Sequence, residues 1–344
     1  MSQQETTFAS DERARQEVFD RKIKQTGRFT AQATAEEVAA ALATDIAGKT
    51  VIITGASPAG IGAEAARVVF KHRPSLLILA SRSKKANEET IAAIGGGSSK
   101  ASVKGVEIDL SDLDSVRKAV VEILELTPVL DVLINNAGIM MLQSFQTTKH
   151  GVEMQFGTNH LGHFLLTNLL MPAMLVSPSG ARVVNVSSAG HHAGGVNFKD
   201  INYDNGTQYD PFVAYGQSKT ANILFSLCLA SKLKNKGLQS FSVDPGAIKG
   251  TSLSRNIPLE KKVAMGWWRP DGSPVETIPW QTVEHGASTY IVTGFDHTID
   301  EHNGKYFARN SVDSTVAAHA QSPESAEKLW LLSEELVGQQ FRYD

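Results

Sequence analysis

A single cysteine, Cys228, among 344 residues rules out any disulfide within the chain and fits a reducing compartment. No run of about 18 apolar residues occurs, so no membrane span is expected. Charge of neither sign dominates: 33 Lys and Arg stand against 36 Asp and Glu, a formal net charge of −3. With no long basic stretch, nothing draws the chain to nucleic acid. The opening residues, MSQQETTFASDERARQEVFD, are polar and lack the apolar core of a secretory signal, which makes the cytoplasm the expected location. No cysteine cluster and no carboxylates at ligand spacing stand ready for a metal, so none is expected. The chain is long enough to bury a core without either kind of staple.

Proline is sparse as well, with 12 in all, yet Pro258, Pro270, Pro274 and Pro279 crowd into residues 247–281 beside Trp267, Trp268 and Trp280. The prolines exclude a long helix there. Long irregular segments inside a compact domain are usually functional or disordered, and the tryptophans argue against disorder. The segment is therefore expected to be a lid over substrate.

What is present is a rhythm. Residues 1–47 read as an N-terminal helical extension, with capping-box spacing at Thr34 and Glu37 and an alanine-rich helix to Ala43 packed on the outside. From Lys49 onward, short apolar, β-branched runs alternate with helical stretches at 50–54, 76–81, 103–109, 129–135, 182–187, 238–243 and 305–307. Strands without polar alternation belong to a parallel sheet covered on both faces. The expected fold is α/β, a single domain over 48–344 built on a doubly wound parallel seven-stranded sheet of the Rossmann type. Gly95-Gly96-Gly97-Ser98-Ser99 reads as a surface loop before the third strand.

The first run leads into Thr54-Gly55-Ala56-Ser57-Pro58-Ala59-Gly60-Ile61-Gly62, where a helix opens. Glycines let the backbone turn tightly and approach a pyrophosphate, and the helix N-terminus presents free N–H groups. An acid about 20 positions on would bond the ribose of NAD. Here the second run ends Ser81-Arg82-Ser83-Lys84-Lys85, with no acid. A guanidinium clamps a 2′-phosphate through its planar fork of donors. Arg82, with Ser81 as a neutral partner, is thus expected to select NADP(H) over NAD(H). Tyr215 and Lys219 stand four apart, on one face of a helix.

In this order the motifs resemble the short-chain dehydrogenase/reductase family over about residues 48 to 340. The family's TGxxxGxG turn is similar to the stretch holding Gly55, Ser57, Gly60, Ile61 and Gly62, although four residues here separate Gly55 from Gly60. Asn135-Asn136-Ala137-Gly138 resembles its NNAG motif, and Asp109-Leu110 the pair that holds adenine. The resemblance implies that Asn159 holds a proton-relay water and that Ser188, Tyr215 and Lys219 are catalytic. It implies that Tyr215 and Lys219 also touch the cofactor, that Pro245-Gly246 flanks the nicotinamide, and that Thr251 bonds its carboxamide or a phosphate. The insert 191–212, Gly304-Lys305-Tyr306-Phe307 and Lys328-Leu329-Trp330 resemble the retinol-dehydrogenase-like branch, and the longer glycine turn and N-terminal helix are most similar to its fungal members. Family members pair through the helices carrying Asn159 and Tyr215, so a homodimer or homotetramer is implied unless the extension blocks it.

The implied chemistry is hydride transfer between nicotinamide and a carbonyl or alcohol carbon. Tyrosine ordinarily titrates near about 10, and positive charge on Lys219 and on oxidised nicotinamide favours tyrosinate. A shift of about three units needs roughly 4 kcal/mol, which one charge at about 4 Å supplies at an effective dielectric near 20. Tyr215 then donates a proton to the carbonyl oxygen while Ser188 hydrogen-bonds it. Met140, Met141, Ile257, Trp267 and Trp268 are candidates to line an apolar cleft for a lipophilic substrate. His191 and His192 are expected near the pocket mouth or in solvent, and His160, His163 and Cys228 in packing. The competing reading is a non-catalytic NADP(H)-binding sensor or scaffold on the same fold, against which the intact Ser188, Tyr215 and Lys219 set argues. A sugar-nucleotide epimerase or dehydratase would carry TGxxGxxG, which is absent.

Overall fold

Strands buried on both faces must be apolar at consecutive positions, and the central strands Thr50–Thr54, Leu76–Ser81, Val132–Asn135 and Arg182–Val186 carry such runs, whereas the edge strand Ser102–Glu107 is largely exposed. The structure, a computed structural model, describes residues 25–95 and 102–343. Residues 1–24 of the extension and 96–99 of the glycine-serine loop therefore lie outside the described residues. The parallel strands are β1 (Thr50–Thr54), β2 (Leu76–Ser81), β3 (Ser102–Glu107), β4 (Val132–Asn135), β5 (Arg182–Val186), β6 (Gln239–Asp244) and β7 (Tyr306–Ala308). An eighth, β8 (Ser311–Val312), pairs antiparallel with β7, giving the order β3-β2-β1-β4-β5-β6-β7-β8. The sheet thus has eight strands where seven were expected. A two-residue strand is too short to show a period, and its hairpin turns on Arg309 and Asn310, both with positive φ.

Successive side chains of a strand point to opposite faces. Ile52 and Ile78 accordingly join a core with the helices Leu113–Leu126, Gly162–Leu175 and Pro211–Lys232, whereas Val51, Ile53, Leu77 and Leu79 join a second core with the helices Ile61–Lys71 and Val283–Phe295. The extension belongs to this second core. Thr34 and Glu37 form the reciprocal capping box, and the helix Ala35–Ala41 with the turn Ala43–Ile46 buries Val38, Ala39, Leu42 and Ile46 completely. The helix is shorter than expected because the chain breaks at Leu42.

On the other face the C-terminal helix Pro323–Val337 sets Trp330 against Phe164 and Phe225, at ring-centroid distances of 5.1 and 6.2 Å. It occupies part of the outer face of the two helices through which pairing was expected. β1 lies between β2 and β4, where the order of crossovers reverses, and this opens a cleft at the carboxyl ends of the strands.

Candidate active site

The turn after β1 is held by contact with the turn after β4. Gly55 has φ +68°, and a Cβ on it would meet the Cα of Ala137 at 2.7 Å, so only glycine lets the two turns touch. The extra residue in the motif is taken up at Ala59, which adopts a left-handed φ of 60° before Gly60 caps the helix Ile61–Lys71. That first helical turn has no side-chain cap, and within it the Ala63 N–H bonds the Gly60 carbonyl at 3.1 Å. Gly55, Ser57, Gly60 and Ile61 line the cleft. Gly62 does not; it packs under the Asn136 amide. Asn136 knits the floor by donating from Nδ2 to the carbonyls of Thr54 (2.7 Å) and Gly55 (3.2 Å) and accepting from Tyr290 Oη at 3.2 Å. Ala137 and Gly138 line the cleft beside it.

At the end of β2, the buried Ser81 donates its hydroxyl to Asn87 Oδ1 at 2.7 Å. Arg82 is exposed, lines the cleft, and has no hydrogen bond or ion pair with a described residue. After β3, Leu110 reaches the cleft, whereas Asp109 does not: its Oδ1 accepts from the Ser111 N–H and hydroxyl.

Asp210 caps the helix Pro211–Lys232 by accepting from the N–H groups of Phe212 and Val213. One turn later Tyr215, and after it Lys219, reach the cleft from the same face; each is only 4% exposed. Lys219 Nζ donates to the carbonyl of Val186 at 3.0 Å and stands 5.5 Å from the centre of the Tyr215 ring. Ser187 Oγ turns away to Lys219 O at 2.8 Å. Ser188 Oγ accepts from Gly190 N at 3.0 Å and also hydrogen-bonds Tyr215. Burial pushes the Tyr215 phenol well above its usual range, the Ser188 hydrogen bond opposes this, and the Asp244 carboxylate adds to it. Burial also pulls the Lys219 ammonium down to about 8, against the attraction of Asp244. Burial is thus the largest influence on both groups.

Asn159 sits in a π-helical turn, Gly157–Leu161, at the head of the helix Gly162–Leu175 and outside the cleft lining. Its Oδ1 accepts from Ile139 N at 2.8 Å, and its Nδ2 donates to Ile139 O and Ser218 Oγ, each at 2.9 Å. The side chain therefore clamps the strand end that carries Gly138. Asp244 is the sole carboxylate lining the cleft among the described residues. It accepts from Ala189 N and Gly246 N and so ties the serine loop to the Pro245-Gly246 turn. Sequence reasoning assigned no role to Asp244, although it directly precedes the Pro245-Gly246 turn, or to Tyr290, which lies in no marked motif.

Pro245, Gly246 and Thr251 line the cleft, as do residues 252–255, Trp267, Trp268 and residues 278–280 of the segment beyond them. Its neck is pinned where Gln281 N donates to Ala247 O (2.9 Å) and Lys249 N to Gln281 O (3.3 Å). Within it, Ile257, Met265 and Trp267 pack with Met140, Met141 and Phe212 around Tyr215. Trp268 also reaches the cleft and meets Trp280 edge-on at 6.1 Å. His160 and His163 are buried in packing as expected, burial holding them near 3 and 4 respectively. His191 is not at the pocket mouth: it is fully buried behind Ser188, because the insert folds back under the serine loop. Its neighbour His192 is half-buried.

The family model described as short chain dehydrogenase matches residues 49–262. The chain is 38% identical to the short-chain dehydrogenase TIC 32 A, chloroplastic, of Brassica napus, over 90% of this chain and 94% of that protein. It is 35% identical to human retinol dehydrogenase 13, covering 85% and 86% of the two. Among solved structures, an uncharacterised protein from Mycobacterium Paratuberculosis aligns with a TM-score of 0.67 and 30% identity, covering 92% of this chain and all of that one. The NADPH-bound carbonyl reductase from chicken fatty liver shares the fold at 18% identity and a TM-score of 0.54, over 78% of this chain and 98% of that one. The chain belongs to the short-chain dehydrogenase family, in its retinol-dehydrogenase-like branch.

Proposed function

We propose that this oxidoreductase uses NADP(H) to interconvert a carbonyl and an alcohol on a lipophilic small molecule. The observation that carries the reading is that Ser188, Tyr215 and Lys219 line one cleft with the glycine turn and Arg82. The residues suit a nicotinamide dinucleotide: the uncapped helical turn after Gly60 offers N–H groups for the pyrophosphate, and the unpaired Arg82 would hold a 2′-phosphate. The bound dinucleotide supplies or accepts the hydride.

Tyr215 keeps its proton at neutral pH because burial disfavours the phenolate, so its Oη serves as donor to a carbonyl oxygen. Ser188 Oγ donates to the same oxygen, and the two donors stabilise the charge that develops there. Lys219, anchored on Val186, stands beside the ring to stabilise the tyrosinate left behind. Oxidation runs the same proton movements backwards. Of the apolar residues around Tyr215, Met140, Phe212 and Trp267 line the cleft and favour an apolar substrate, whereas Met141 and Ile257 pack behind them. Segment 247–281 serves as the lid that excludes water. The cytosol is the proposed location, supported by the single, buried cysteine.

The test is consumption of NADPH with a panel of apolar aldehydes and ketones, with NADH in parallel. Tyr215→Phe is expected to lower turnover by about 10²–10⁴ while NADPH still binds, which is the usual contribution of a positioned acid. Near-normal turnover in that variant overturns the reading.

A further inference from the structure

Ser188 is held from behind by one residue. Its carbonyl oxygen accepts both the main-chain N–H of His191, at 3.0 Å, and a hydrogen bond from the His191 ring at Nδ1, at 2.7 Å. The other ring nitrogen settles the tautomer. Nε2 lies 3.1 Å from the backbone nitrogen of Ala317, and a backbone N–H can only donate. Nε2 is therefore the acceptor, Nδ1 carries the proton, and the ring is neutral. The ring is fully buried, with the His192 ring centred 4.1 Å away and Tyr306 edge-on at 5.0 Å.

The main chain of His191 extends the connection. Its carbonyl accepts from Thr220 Oγ1 at 3.1 Å and His319 Nε2 at 3.0 Å. Thr220 directly follows Lys219 on the helix that carries Tyr215. His191 therefore joins the serine loop, that helix and the C-terminal stretch 317–319. It does not line the cleft and so touches no substrate.

We propose that His191 is a positioning residue for Ser188: its neutral imidazole, held in one tautomer by Ala317, sets the serine loop so that Oγ meets the oxygen that Tyr215 protonates. The proposal rests on the reading of Ser188 as a donor to that oxygen. Removing the ring leaves the Ser188 carbonyl with one donor fewer and the Ala317 N–H without its acceptor. The loop is then free to shift, and a misplacement of about 1 Å at a reacting group costs on the order of 10² in rate. Because the ring lies behind the loop, the loss should fall on kcat and spare KM.

The experiment compares His191→Leu with His191→Asn, whose amide places a donor near the position of Nδ1. Each is made in the native and the Ser188→Ala backgrounds, with NADPH affinity read by fluorescence. His191→Leu is expected to lower kcat by about 10- to 100-fold, with KM for the carbonyl and NADPH affinity within about twofold. His191→Asn should restore most of the loss. In the Ser188→Ala background, His191→Leu should change kcat by less than about twofold, because residues acting as a unit are not additive. If His191→Leu does not fold, His191→Gln replaces it, since it keeps an amide but cannot reach the Nδ1 position. An undiminished kcat, or an equal loss in both backgrounds, overturns the proposal. A Ser188→Ala variant with native kcat overturns the underlying reading of Ser188 instead.

Discussion

A Cβ on Gly190 would stand 2.8 Å from Cε1 of Tyr215, so the phenol ring rests directly on the backbone of the serine loop. The backbone there needs no positive φ; it is the close approach that demands glycine. Gly190→Ala should push the ring off its position and lower kcat by about 10- to 100-fold, leaving NADPH affinity intact. Steady-state kinetics beside a cofactor titration would check it, and native kcat would show that the ring tolerates the displacement.

Lys219 carries a burial cost that pH can relieve. Its ammonium titrates at about 8 in the folded chain, below the ordinary 10.5. Between those values the unfolded chain binds more protons, so stability rises with pH across that window; the penalty is complete below about pH 8. Lys219→Met should therefore melt higher than the native protein at pH 7, by up to about 3 kcal/mol, and the advantage should shrink towards pH 10. Val186 O keeps a partner in the variant, since Asn222 Nδ2 also donates to it at 3.0 Å. A stability difference independent of pH would show that the amine is not strained by burial.

Arg82 should discriminate between cofactors. Arg82→Ala removes a charge-assisted partner worth about 1.5–3 kcal/mol to a 2′-phosphate, so NADPH affinity should fall about 10- to 100-fold and NADH affinity hardly at all. Equal losses in paired titrations would remove Arg82 from cofactor selection.

The lid proposal concerns motion. The neck at Ala247, Lys249 and Gln281 fixes the ends of the segment, and only Ile257 and Ile278 among its described residues carry large, buried apolar side chains. Hydrogen exchange across 247–281 should slow when NADPH and a good carbonyl bind together. Trp267→Ala with Trp268→Ala should raise KM for bulky apolar carbonyls and leave the melting temperature nearly unchanged. Exchange already at its slowest without ligands would rule out a moving lid.

Local rules made much of the protein legible. β1 and β2 begin and end where their apolar runs do, and the Thr34–Glu37 capping box forms as its spacing predicts. Spacing of four puts Tyr215 and Lys219 on one helical face, and both open on the cleft. These features depend on the period of a strand or helix, or on contacts within one turn, so the sequence carries them directly.

Other assignments depended on which distant groups compete for the same atoms. Gly62 and Asn159 stand in the marked motifs, yet one packs under Asn136 and the other spends its amide on Ile139 and Ser218. The pattern places Asp244 only at a strand end, and folding makes it the tie between two loops. The pair His191 and His192 reads as polar and accessible until the insert folds beneath Ser188 and the C-terminal stretch supplies Ala317 as a partner of His191. Sequence alone determined the seven parallel strands, their alternation with helices and the candidate site side chains, because these follow from local periodicity and motif order. Tertiary structure alone decided which of those side chains meet the cleft and in which direction burial shifts their titration, because desolvation and hydrogen-bond competition are set by residues far apart in the chain.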